Sequence, residues 1–246
     1  MLRTQTTLGL VLMALAGCAT APPPLLLHNH YRVIQTNQID EVEATERFSS
    51  PFKNLARTLS SGDIFAGTDR RDPKTSVATG GLKSYPTIAA LRSSFPTDDF
   101  MKGLGITRAP DSQRTTQEQY NVTVAGYIYA ASKESDNDFH LILGDKGCAT
   151  GDCLINVEVS GLPQDPADPS YPTLSAVRTK FLSYLNQQQP ARGYETFSPP
   201  IAVIVTGSVF FDVDHPAGAV GPTGLKPSSA WEIHPLTEIT FEPGGM

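Results

Sequence analysis

A chain of 246 residues with a formal charge of −6 and no run of lysine or arginine lacks the dense basic face on which strong nucleic-acid binding rests. With 39% apolar residues it can bury a sizeable core, and its 20 glycines and 20 prolines favour short strands and many turns over long helices. By length it forms one or two domains.

The N-terminus carries the most specific signal. MLRTQTTLGLVLMALAGC has one basic residue, Arg3, then an apolar run from Leu8 to Leu15, then Leu15-Ala16-Gly17-Cys18. The run is too short to span a bilayer and has the layout of a secretory signal. Its small-small-cysteine ending resembles a bacterial lipobox, in which the cysteine thiol receives a diacylglycerol. A plain signal peptide that happens to hold a cysteine is the alternative. On the lipobox reading residues 1–17 are removed and residues 18–30 form a tether lipidated at Cys18, stiffened by ATAPPP. The expected location is the bacterial cell envelope. Ala19 rather than aspartate after the cysteine points, by enterobacterial sorting rules, to the outer membrane, facing periplasm or surface. The mature chain then keeps Cys148 and Cys153, in the turn GDKGCATGDCL. In an oxidising compartment such a close pair is expected to form a disulfide. The alternative, half of a zinc site, needs two further ligands and a tighter spacing.

Residues 31–110 read as an irregular N-terminal segment that packs on the domain C-terminal to it. HYRVIQT and IDEVEA are candidate strands, PFKNLARTL and TIAALRSSF candidate short helices, and SSGDIFAGTDRRDPKTSVATGGLKS a loop. From residue 111 to 243 the pattern sharpens. YNVTVAGYIYA alternates as a strand, with Gly126 marking a bend or bulge. DFHLILGD is a second strand, with Phe139, Leu141 and Leu143 on one face and Asp138, His140 and Ile142 on the other. LINVEV is a third. In TLSAVRTKFLSYLNQQQ, Leu174, Val177, Phe181 and Leu185 recur at helical spacing. IAVIVTGSVFFDV is a fourth strand. WEIHPLTEITF is a fifth, in which Pro235 requires an edge or a bulge. The expected fold is mostly β (α+β): an OB-fold-like five-stranded barrel with one helix between strands three and four. Another small α+β barrel is the alternative.

The stretches PTIAALRSSFP, YNVTVAGYIYAASKESDNDFHLILGD, VTGSVFFDVDH and WEIHPLTEI, taken in order, resemble a group of mostly secreted bacterial proteins. Their recurring pattern is an acidic turn, Asp-x-His-Leu-Val-Leu, a cysteine-containing loop, Gly-x-Phe-Phe-Asp and finally Glu-Leu/Ile-His-Pro-Val. The resemblance spans roughly residues 85–242. Leu236 stands where valine is usual, and KPSSAW lengthens the loop before Glu232. It implies one compact β-rich domain and pairs DFH with EIHP. It implies no activity.

The residues able to carry chemistry are Asp138, His140, Asp212, His215, Glu232 and His234, with Asp214 and Glu118 beside them. Asp-x-His and Glu-x-His put both side chains on one face of a strand, where they can hold a divalent metal or orient an imidazole. A purely structural histidine, bonded to a neighbouring carboxylate, is the competing reading. His28 and His30 form a lone His-x-His beside the tether. No serine elbow, zincin helix or phosphate loop is present. Two functions are compatible with these residues. The first is an envelope-anchored binding or structural module, presenting Tyr127, Tyr129 and His140 to a small molecule, a glycan or an envelope protein. The second is a metal-assisted envelope hydrolase built on Asp138, His140, Glu232 and His234. A divalent metal is the only cofactor either reading invokes.

Overall fold

Period-two alternation governs the second half of the chain, and a seven-stranded sheet results. The computed structural model describes residues 31–36, 38–40 and 62–242. The apolar leader, Cys18, the tether, His28, His30 and PFKNLARTL lie outside the described residues. The strands are β1 (Arg32–Gln35), β2 (Leu82–Tyr85), β3 (Asn121–Lys133), β4 (Phe139–Gly144), β5 (Leu154–Val159), β6 (Glu195–Phe211) and β7 (Trp231–Phe241). The helices among the described residues are α1 (Arg71–Lys74), α2 (Ile88–Ser93), α3 (Asp98–Gly103) and α4 (Tyr171–Tyr184). The protein is therefore mostly β with few helices, an α+β fold.

The strand order is β1-β6-β7-β5-β4-β3-β2, with a further pairing of β6 to β3. That pairing closes five strands, β3-β4-β5-β7-β6, into a ring. Its members pair antiparallel except β5 with β7, which run parallel. A parallel pair needs a crossover, and α4 lies in the chain between them. Thirteen residues let β3 serve two partners at once: Asn121–Ile128 lie along β6, and Tyr127–Lys133 along β4. The expected irregularity falls between Ile128 and Ala130, just past Gly126. Gly126 itself allows close approach, because a Cβ there would sit 3.1 Å from the Gly144 carbonyl oxygen.

The core lies inside the ring. Phe139, Leu141 and Leu143 point into it as their alternation predicts, meeting Ile155, Val157, Val159, Val209, Phe211 and Ile233. Helix α4 adds Val177 and Phe181 to this core, with Leu185 just past its end, and Leu174 is buried with them. The helix ends at Tyr184, before the glutamines, where Asn186 and Gln187 adopt φ of 54° and 65°. Pro235 is accommodated by a bulge: the β6–β7 register steps from Gly207↔Leu236 to Val209↔Ile233 around it.

The stretch read as a loop, residues 60–84, departs from expectation. It contains α1, a bridge of Ile64 to Leu162, and β2 paired parallel to β3. β2 has no buried face, so no apolar alternation marks it; backbone pairing alone makes it a strand. HYRVIQT does yield β1, antiparallel to β6. IDEVEA shows no strand at Ile39 and Asp40, and its other residues lie outside the described ones.

Candidate functional site

The alternation that sends Leu141 inward sends His140 to the opposite face of β4. Cross-strand register then builds a polar cluster there. His140 lies opposite Glu158 on β5, and Asn156 on β5 lies opposite Glu232 on β7. His234 stands two residues beyond Glu232, on the same face. This face is not open to solvent. Asp40 and Lys74 close on it from the N-terminal side, and His215 and Val220 from the loop between β6 and β7. His140 is 3% exposed, Asp212 and Glu232 1%, and Asp138, Glu158 and His234 0%.

The side chains form a continuous line of alternating carboxylates and imidazoles. Asp40 Oδ2 lies 3.2 Å from His140 Nδ1, and His140 Nε2 lies 3.0 Å from Glu158 Oε1. Glu158 Oε2 lies 3.0 Å from His234 Nδ1, and His234 Nε2 lies 3.4 Å from Asp138 Oδ2. The Asn156 amide donates to Glu158 Oε1 at 2.9 Å and to Glu232 Oε1 at 2.8 Å. A second pair, Asp212 with His215, meets at 2.6 Å, with Lys74 Nζ 3.8 Å from Asp212. The imidazoles of His140 and His215 are 6.0 Å apart.

Burial sets the charges against each other. It opposes the imidazolium of His140, but Glu158, Glu134 and Asp40 outweigh it and hold the pKa well above the ordinary value. The same contest leaves His215 at about 10 beside Asp212, and His234 at about 9 beside Glu158. Glu158 resists burial through His140 and His234 and stays well below the usual carboxylate range. Glu232 is carried by burial, and by Glu158 and Asp212, to about 7. Burial together with Asp136 pushes Asp138 well above the usual range.

Of the residues singled out from sequence, Asp138, His140, Glu232 and His234 meet on one face, and Asp212 with His215 adjoins them. Three groups have potential ligand atoms within 4.8 Å of one another: Asp40, Glu134, His140; Asp138, Glu158, His234; and Asp212, His215, Glu232. A small cavity at the third is lined by Asn156, His215, Gly218, Val220 and Glu232.

Glu118 does not join them. It holds Arg70 through two hydrogen bonds of 2.8 and 2.9 Å and accepts from the Phe211 amide. Asp214 pairs with Arg108. Tyr129 is tied into the cysteine loop: its hydroxyl donates to the Asp145 carbonyl and accepts from the Cys148 amide. Tyr127 is half-buried on the same strand. Cys148 and Cys153 are joined as a disulfide, Cα atoms 5.8 Å apart.

Three central residues escaped the sequence reading. Asn156 and Glu158 alternate with Ile155 and Val157 and so look like the wet face of a strand. Asp40 lies in a segment without periodicity. The only signal for Glu158 was its place on the strand between DFH and EIHP. The chain matches no protein-family model, no curated protein and no solved structure. Among the described residues no helix is long and apolar enough to cross a membrane.

Proposed function

We propose that this chain is a lipid-anchored protein of the bacterial envelope whose OB-like barrel serves as a binding or structural module, not as an enzyme. The anchor rests on Leu15-Ala16-Gly17-Cys18 closing an apolar run. The OB reading is supported by the ring order. Counting β3 as the first strand, the ring runs one-two-three-five-four, with the third and fifth parallel and the helix between the third and fourth.

One observation carries the choice against catalysis: the whole Asp/His/Glu/His cluster is buried, with no member more than 3% exposed. A metal-assisted hydrolase needs an open coordination position and a substrate that reaches it. OB-folds commonly bind along the outer face of their second and third strands. Here that face, β4 and β5, is roofed by the protein's own segments. The ion pairs beneath the roof act as a lock, and a binding surface for a glycan or an envelope protein lies elsewhere on the barrel.

Two measurements test this. Metabolic acyl labelling should mark the wild-type chain and leave Cys18→Ser unlabelled; equal labelling would remove the anchor. Diethyl pyrocarbonate should modify His140, His215 and His234 only after unfolding. Rapid modification of His140 or His234 in the native protein would restore the hydrolase.

A further inference from the structure

Buried polar atoms are nearly always paired, and a cluster of unpaired ones asks for a missing partner. In the Asp40–Glu134–His140 group each residue has a hydrogen-bond partner of its own. Asp40 accepts from Tyr194 and Gly221, Ser132 donates to Glu134, and His140 is engaged at both nitrogens. In the third group Asp212 and His215 touch at 2.6 Å, a direct hydrogen bond with no room for an ion between them.

Around His234 the pattern differs. Asp138 Oδ2, Glu158 Oε2, Glu232 Oε2 and both ring nitrogens of His234 are buried and face one another at ion-pair distance, yet none makes a hydrogen bond of good geometry. Each carboxylate is nevertheless held by its other oxygen. Gly161 N donates to Asp138 Oδ1, His140 and Asn156 secure Glu158 Oε1, and Asn156 secures Glu232 Oε1. These oxygens of Glu158 and Glu232 both lie on the Nδ1 side of His234, at 3.0 and 3.7 Å.

We propose that His234 Nδ1, Glu158 Oε2 and Glu232 Oε2 bind one divalent transition-metal ion, with Asp138 orienting the imidazole from its Nε2 side. Ligand atoms about 2.0–2.1 Å from a tetrahedral zinc stand roughly 3.3–3.4 Å apart, and the two observed separations straddle that value. One imidazole nitrogen on the metal and the other on a carboxylate is the usual support of a ligating histidine. One nitrogen and two oxygens suit zinc or manganese better than copper(I) or an iron–sulfur cluster. Three protein ligands leave a fourth position for a water, and burial of all three residues keeps any larger molecule from it. Such an ion joins β5 to β7 where they share only the pairs Asn156↔Glu232 and Val157↔Ile233. A metal here is independent of the anchor and of the binding role, and its absence would leave both standing.

The test uses the full purified chain, stripped with a chelator and then titrated with Zn²⁺ alone, with Mn²⁺ and Ca²⁺ in parallel. We expect about one Zn²⁺ per chain and a rise in melting temperature on reloading. Glu232→Gln should abolish binding, and Asp138→Asn should weaken it roughly 10–100-fold. X-ray absorption of the loaded wild-type chain requires no variant to fold, and should report one imidazole nitrogen among oxygens. Folded wild-type chain that takes up no metal would overturn the proposal. So would a spectrum with two imidazoles or sulfur, or binding that survives Glu232→Gln and disappears in His28→Ala/His30→Ala.

Discussion

Leu141 and His140 are neighbours in the chain and face opposite sides of β4. Leu141 is fully buried in the ring, so Leu141→Ala should cost ~2–5 kcal/mol in denaturant unfolding as a large-to-small change. A cost under ~1 kcal/mol would mean the core collapses freely around it. His215 makes a pH prediction. Burial disfavours its imidazolium, but Asp212 raises its pKa to about 10 in the folded protein. A group raised on folding stabilises fully below its unfolded pKa, and that contribution is lost as pH rises through the folded one. Chelator-treated protein should therefore lose stability between roughly pH 7 and pH 10. His215→Gln should flatten that decline, and parallel curves for the two proteins would refute the assignment. Sequence patterns exposed Leu141 well and His215 only as a candidate. An apolar alternation states which face is inside, whereas a polar one looks the same under solvent and under a roof.

Elements with one face in the core were legible for that reason. β3 to β7 and α4 could be placed from periodicity, and the resemblance paired DFH with EIHP. β2 and α1 were hidden because their residues answer to backbone pairing and short-range hydrogen bonds. The roof was hidden too, since nothing in DIFAGTDRRDP announces that it covers a sheet. Several contacts hold this element down: Phe65 donates its amide to the Leu162 carbonyl and Ala66 to that of Asp136, Asn137 donates to the Ile64 carbonyl, and Gly161 lies under Phe65. A Cβ on Gly161 would sit 2.7 Å from the Phe65 Cα. Gly161→Ala should therefore lift residues 64–67 while the ring stays folded. Hydrogen exchange should quicken at the amides of Phe65 and Ala66 and stay slow in β4. Unchanged protection at Phe65 would show that the segment is held from elsewhere.

At the scale of the whole molecule, β3 closes the ring by pairing with β6 from Asn121↔Ser208 onward. Asn121 and Ser208 also join through their side chains across 87 residues of sequence. A polypeptide is made from its N-terminus, and contacts of such long range form late. When β5 has emerged, β3, β4 and β5 can already associate as two hairpins. Their inner face, with Phe139, Leu141 and Val157, then has no opposite wall, and their outer face holds Glu158 with neither His234 nor Glu232 nearby. The nascent chain thus passes through a stage that is greasy on one side and electrically unbalanced on the other. A chain stopped at residue 190 should bind a hydrophobic dye and aggregate, whereas addition of residues 191–242 should make it soluble. A soluble, dye-silent product at residue 190 would mean the first three strands find another way to close, and the burden on chaperones along its route would be correspondingly light.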